Sequence, residues 1–247
     1  MTNTAIVVGG NGKMGKIACD VLAKADTIDK VIPITRNENL SRTVKQFKPC
    51  VAIELTDVNS VFVNSRVLLE HGVPTIIGAS GLTNEKNKHL DQLATQSNVP
   101  CLLVPNFSIA AVLMNQAAKL AAPFLGDCEI IEYHHTQKKD APSATSLDTA
   151  NQVKSARSKA QRKKSYQDEH RDNSVPIHSI RSSGVLAKQD VIFAQRGETL
   201  TISLNQIDRY AFAPGICMAV ERITILSAGL HIGIENVFDL ALENAKF

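Results

Sequence analysis

The chain has 247 residues, of which 44% are hydrophobic, 21% charged and 4% aromatic, with no Trp and a net charge of +3. This length makes one large domain or two small ones, with enough buried surface to need no disulfide or metal staple. The composition excludes intrinsic disorder, collagen-like repeats and a disulfide framework. Eight Phe and three Tyr are too few for a base-stacking platform, and the mild charge sits below that of a dedicated nucleic-acid binder.

The first hundred residues alternate between short apolar runs and amphipathic stretches. The runs Ala5–Val8, Val31–Ile34, Val51–Ile53, Thr75–Ile77 and Cys101–Val104 are continuous and rich in β-branched residues, as in strands covered on both faces. Between them Ile17, Val21 and Leu22 share a helical face, as do Val61, Leu68 and Leu69, and Leu90, Leu93 and Ala94. This rhythm predicts a Rossmann-like, doubly wound parallel sheet. Ala5–Val8 runs directly into glycines with no charged segment before it, so it reads as a buried strand rather than a signal peptide.

The pattern then changes. Ser108–Phe124 predicts one long helix. Glu129–His135, Val175–Arg181, Gln189–Gln195 and Thr199–Gln206 predict longer strands, the last two joined by a turn at Arg196-Gly197-Glu198. These imply a second, α+β domain with an open mixed sheet. Ala211–Leu226 returns to helical periodicity, with a short helix near Val237–Leu242. The expected division is a dinucleotide-binding domain over 1–108, completed by 210–247, and a substrate and oligomerisation domain over 109–209. A chain that leaves and returns in this way would place its active site in the cleft between domains.

No apolar run approaches the roughly 18 residues that a membrane span needs. Cys19, Cys50, Cys101, Cys128 and Cys217 are odd in number and form no C-x-x-C, which fits reduced thiols in a cytoplasmic protein. Lys154–Arg171 is rich in cations but lacks interleaved aromatics, and it reads as a solvated helix face and loop rather than a nucleic-acid patch.

Two segments carry chemistry. Gly9-Gly10-Asn11-Gly12-Lys13-Met14-Gly15 follows the first strand and opens the first helix, so that Gly10, Gly12 and Gly15 satisfy G-x-G-x-x-G. Free N–H groups at that helix start suit a pyrophosphate. Thr35 stands where NAD-selective sites usually carry an acid, and Arg36 follows it. With no carboxylate expected there to repel a 2′-phosphate, the site is predicted to prefer NADPH or to accept NADH as well.

The second segment runs from Glu132 to Thr145, with His134 and His135 at a strand end and Lys138 just beyond. On a strand the two histidines point to opposite faces and differ in role. An imidazole can deliver a proton near neutrality, Lys138 can hold a carboxylate, and the Ser143–Thr145 helix start can hold another. A zinc site is the rival, but no third ligand lies at metal-binding spacing.

This segment resembles the signature E-x-H-H-x-x-K-x-D-A-P-S-G-T of the bacterial dihydrodipicolinate reductases. Other landmarks of that family follow in order: Gly9–Gly15, Gly78-Ala79-Ser80-Gly81, Asn106-Phe107-Ser108, Ile177–Arg181 with Gly184, and Asp208-Arg209 with Phe212, Ala213 and Gly215. The resemblance implies an NAD(P)H-dependent reductase of the diaminopimelate and lysine pathway, cytoplasmic and homotetrameric through its second sheet, acting on a small dicarboxylate. It implies His134 as proton donor, assisted by Lys138. It further implies His135, Ser143, Ala144 and Thr145 as substrate ligands. Gly9, Gly10, Asn11, Gly12, Lys13, Met14, Thr35, Arg36, Gly78, Ala79, Ser80, Val104, Pro105, Asn106, Phe107 and Arg209 would line the cofactor site. No metal is implied. The chain departs from the pattern at Ala79 and Ser80 (for two threonines), at Ala144 (for glycine), and at Lys188 and Leu204 (for histidines). These departures leave open a same-fold reductase of another cyclic imine or keto-acid, or a non-catalytic nucleotide-binding paralogue.

Overall fold

The computed structural model describes residues 2–159 and 175–238. These group into two compact units. One runs through Ser108 and resumes at Phe212; the other spans Ile109–Ala211.

The first unit is built on six parallel strands: β1 (Thr4–Val8), β2 (Lys30–Ile34), β3 (Val51–Glu54), β4 (Thr75–Ile77), β5 (Pro100–Leu103) and β10 (Gly229–Ile232). Their order is β10-β5-β4-β3-β1-β2. Every residue of β1, β3 and β4 is buried, which explains their unbroken apolar runs. Four helices intervene: α1 (Lys13–Leu22), α2 (Leu40–Phe47), α3 (Val61–Glu70) and α4 (Asn84–Gln96). Asn39 caps α2 by accepting from Arg42 N, and Thr83 caps α4 by accepting from Lys86 N. One apolar cluster joins Ile6, Val8, Ile34 and Ala52 to Leu40, Val44 and Leu68, while a second joins Ile77 and Cys101 to Val61, Leu69 and Leu90. A later helix, α7 (Ala213–Arg222), packs against α1. Because β1 lies between β2 and β3, the chain reverses its winding there, and the C-terminal ends of β1 and β3 form the crevice where such sheets bind ligands.

Two elements were not predicted. After Leu226, in a stretch that the sequence left unassigned, β10 adds to β5, and a short 3-10 turn, Ile234–Val237, follows it. The predicted helix beyond residue 238 lies outside the described residues. Helix α2 was not evident from the sequence, because eight residues with only Leu40 and Val44 buried make a weak pattern.

The second unit holds α5 (Ile109–Ala121), α6 (Ala144–Lys159) and the sheet β7-β6-β8-β9, comprising β6 (Asp127–His134), β7 (Ile177–Arg181), β8 (Ala187–Gln195) and β9 (Glu198–Gln206). The β6–β7 pair is parallel and the other two are antiparallel, so the sheet is mixed. Arg196-Gly197 forms the β8–β9 turn, with Gly197 at φ +95°. One face of the sheet buries Cys128, Ile130, Val191 and Phe193 with Met114, Ala118 and Val153. Arg157 is not simply solvated: its guanidinium donates to the carbonyls of Ala122, Leu125 and Gly126 and closes the end of α5. Residues 160–171 of the basic stretch lie outside the described residues.

Candidate active site

The predicted cofactor residues of the first unit gather along one edge of its sheet. Gly9–Met14 follow β1, Thr35 and Arg36 follow β2, Gly78–Ser80 follow β4, and Val104–Phe107 follow β5. Gly9 adopts φ +85°, and a Cβ there would lie 2.8 Å from the Leu55 carbonyl. Gly12 precedes α1, and its N–H donates to Gly9 O at 2.9 Å. A Cβ on Gly15 would sit 2.1 Å from Gly9 O, so only glycine lets α1 start this close to β1. The result is a tight turn with free N–H groups at a helix start, which fits a dinucleotide pyrophosphate. Ala79 is buried and packs with Ile77 and Leu90, so its methyl replaces a threonine hydroxyl within the core. Arg209 falls in the second unit.

The end of β2 requires a correction. Two carboxylates stand where none was expected. Glu38 Oε2 accepts from Thr35 N at 2.5 Å, and Asp57 Oδ2 lies 3.6 Å from Arg36 Nη2. Asp57 is fixed by its other oxygen, which accepts from Asn59 N and Ser60 N. Their sequence positions hid them: Glu38 reaches back three residues, and Asp57 comes from the loop after β3.

A buried acid lies beside this crevice. Glu54, at the end of β3, accepts from Thr56 N, Thr56 Oγ1 and Asn64 Nδ2 through Oε1, while Oε2 has no partner among the described residues. Burial pushes its carboxyl above the usual range.

The second unit carries the residues predicted to handle protons and carboxylates. The buried face of β6 changes along its length from Cys128 and Ile130 to Glu132 and His134. Period-2 alternation therefore carries one strand face out of the apolar core and into the site. Glu132 is fully buried, yet four donors meet it. Ser143 N (2.8 Å) and Ser146 Oγ (2.7 Å) reach one oxygen, and Ser179 Oγ (2.7 Å) and Arg181 Nη2 (3.1 Å) reach the other. Burying an ion costs several kcal/mol, and bonds to a charged group return about 1.5–3 kcal/mol each, so four suffice. Burial alone would raise the carboxyl, but the Ser143, Ser146 and Ser179 bonds bring it down to about 2.

His134 ends β6 with 14% of its side chain exposed, and Nδ1 is buried 3.9 Å from Glu132 Oε1 without a hydrogen-bond partner among the described residues. Desolvation holds its imidazole below the ordinary value, opposed by the Glu132 charge. His135 lies just past the strand, not on it, so strict alternation does not govern its direction. Lys138 Nζ is 2.9 and 2.8 Å from the two oxygens of Asp140. Arg181 also donates to the carbonyls of Lys138 and Asp140, tying this loop to β7.

Ser143 is buried, and it is occupied within the protein. Its N–H goes to Glu132, its hydroxyl donates to Ser146 Oγ, and it accepts from Ser146 N to cap α6. The proton on that hydroxyl is therefore not available to a ligand. The next two N–H groups, of Ala144 and Thr145, open α6 without partners among the described residues. Ala144 is not among the residues of positive φ, so its methyl meets no backbone strain. Leu204 faces Gln189 across the β8–β9 ladder and packs with the core. Glu132, Ser146, Ser179, Arg181 and Gln189 complete the site but were absent from the predicted set. The two-residue spacing of Glu132 and His134 on one strand was the available signal.

Residues 4–107 match the family model described as dihydrodipicolinate reductase, N-terminus, and residues 108–238 match that described as dihydrodipicolinate reductase, C-terminus. The chain belongs to the dihydrodipicolinate reductase family. It is 37% identical over 245 residues to the 4-hydroxy-tetrahydrodipicolinate reductase of Legionella pneumophila (strain Corby), covering 96% of this chain and 100% of that one. It is 38% identical over 240 residues to the Coxiella burnetii (strain Dugway 5J108-111) reductase, with the same coverage. Among solved structures, the dipicolinate-bound dihydrodipicolinate reductase of Paenisporosarcina sp. TG-14 matches with TM-score 0.82 at 28% identity, covering 96% of this chain and 100% of that one. A probable dehydrogenase from Thermotoga maritima shares the fold alone (TM-score 0.64, 8% identity, 95% and 92% covered). The family match thus spans both the parallel-sheet unit and the mixed-sheet unit.

Proposed function

We propose that the protein reduces 4-hydroxy-tetrahydrodipicolinate to tetrahydrodipicolinate with NADPH or NADH, in the diaminopimelate and lysine pathway. The observation that carries this reading is the set His134, Lys138, Ala144 and Thr145 at the end of β6 and the start of α6, in a chain that matches the family from residue 4 to 238. We assign the cofactor to residues 1–108 with 210–247, and the substrate and subunit contacts to residues 109–209.

When bound, the dinucleotide supplies a hydride. Gly9–Met14 hold its pyrophosphate, and the segments after β4 and β5 line the remainder of its site. Ala144 and Thr145 offer N–H groups to one substrate carboxylate, assisted by the helix dipole. Lys138 has a third N–H beyond the two directed at Asp140 and offers it to the other carboxylate, with His135 alongside. His134, once protonated, gives its proton to the position beside the one that receives hydride. Ser143 serves by capping α6. Arg209 is proposed as a further cofactor contact. We further propose a cytoplasmic homotetramer. The five free cysteines support a reducing compartment, and the exposed outer face of the second sheet supports subunit contacts.

The test is oxidation of NADPH and of NADH when the substrate is generated by its synthase. Turnover with both is expected, and His134→Gln should lower kcat by about 10²-fold or more. Tight cofactor binding without turnover of this substrate would instead favour a reductase of another cyclic imine or keto-acid.

A further inference from the structure

Glu132 is a buried ion whose location is not explained by the core around it. Its four donors come from two places: the α6 start (Ser143, Ser146) and β7 (Ser179, Arg181). A carboxylate has about four lone-pair sites, so these donors saturate it and hold it rigidly. Beside it, and not bonded to it, Nδ1 of His134 lies buried 3.9 Å away, without a hydrogen-bond partner among the described residues.

We propose that Glu132 is a positioning residue for the proton donor, its fixed negative charge keeping a proton on Nδ1 of His134 and leaving Nε2 as the nitrogen that gains and gives the catalytic proton. This rests on the functional reading above and deepens it.

The alternative tautomer would aim a bare nitrogen lone pair at a carboxylate inside the protein, which is repulsive in a medium that screens poorly. With a proton on Nδ1, the same charge favours the imidazole dipole and favours the imidazolium further. Histidine roles are generally set in this way, by what faces the other ring nitrogen. Among the described residues, the charged groups that act on His134 are Glu132 on its own strand, Lys138 and Asp140 on the following loop, and Arg181 on β7. Glu132 and Asp140 favour the protonated ring; Lys138 and Arg181 oppose it. Arg181 thus reduces the field of Glu132 while fixing its place, and by bonding the carbonyls of Lys138 and Asp140 it keeps both proton-handling side chains in one frame.

The decisive measurement is the tautomer of His134, read by proton–nitrogen NMR correlation on the full-length protein with labelled histidine, together with the pH dependence of kcat/KM. Neutral His134 is expected to carry its proton on Nδ1. In Glu132→Gln the alkaline limb of kcat/KM should move to lower pH by about one unit, because the charge that favours imidazolium is gone. Glu132→Asp restores the charge and should bring the limb part of the way back. An Nε2-protonated ring overturns the proposal. So does a Glu132→Gln enzyme whose kcat is reduced equally at every pH, since that is mere loss of support. If Glu132→Gln does not fold, the tautomer in the unaltered protein decides. An unaltered protein that fails to turn over the substrate defeats the functional reading, and the tautomer still judges Glu132.

Discussion

At the scale of single residues, two carboxylates carry measurable consequences. Glu132 is held at about 2 against an ordinary 4.5, so it is ionised in the folded state well below the pH at which it protonates when unfolded. It therefore contributes stability in full above about 4.5, and this contribution is lost as pH falls from there toward 2. Denaturant unfolding across that window should show stability declining with acid in the unaltered protein and a shallower decline in Glu132→Gln. Equal slopes would show that Glu132 gains nothing from its donors. The second consequence is cofactor choice. Arg36 alone would welcome a 2′-phosphate, but Glu38 and Asp57 place two negative charges around it. The Arg36–Asp57 pair is exposed and weak, so a phosphate displaces it at little cost, yet the carboxylates remain nearby. Glu38→Gln and Asp57→Asn should each improve the NADPH-to-NADH ratio of binding constants several-fold, on the order of 1 kcal/mol. Titration of each cofactor by fluorescence reads this directly, and an unchanged ratio removes both residues from selection.

At the scale of elements, legibility followed the mode of burial. Strands β1 and β3 to β5 were readable because strands covered on both faces leave an unbroken apolar run. The histidine–lysine segment was readable because its chemistry is consecutive. Glu132 was not readable as a site residue, because its donors lie 11, 14, 47 and 49 positions away and meet it only through the fold. Strand β10 was unreadable for another reason: four residues that include His231 do not announce a strand, and β5 alone pairs with them. Gly215 illustrates an element contact that the sequence conceals. A Cβ there would lie 2.0 Å from the Phe107 carbonyl, so α7 can approach the segment after β5 only without a side chain. Gly215→Ala should destabilise the protein by about 1–3 kcal/mol and weaken cofactor binding, because Phe107 belongs to the proposed cofactor site. Thermal unfolding with and without NADPH checks both effects. An alanine protein of unaltered Tm would show that the backbone yields freely. The Ala144 departure, by contrast, is benign at this scale, since it opens α6 with ordinary helical geometry.

At the scale of the whole molecule, the second sheet has two unlike faces. One closes on α5 and α6. The other leaves Thr199, Thr201, Ser203 and Asn205 of β9 exposed, and Ile180 is 40% exposed on β7 at the opposite edge. The proposed subunit contacts fall on this face. Light scattering on the eluting protein is expected to give near four times the chain mass of 26.8 kDa. Ile192→Glu, opposite Glu129 across the β6–β8 ladder, should shift it to smaller species with secondary structure retained, through like-charge repulsion on that face. A monomeric unaltered protein would end the tetramer proposal.

Strand β10 also sets a timetable for the molecule's birth. Its partner β5 leaves the ribosome more than a hundred residues earlier, and the intervening chain folds into a separate unit. Until Gly229–Ile232 emerge, one side of β5 is an open apolar edge, the kind that invites pairing with foreign strands. The parallel-sheet unit is thus begun first and finished last. A chain cut short before Gly229 would leave that edge permanently uncovered.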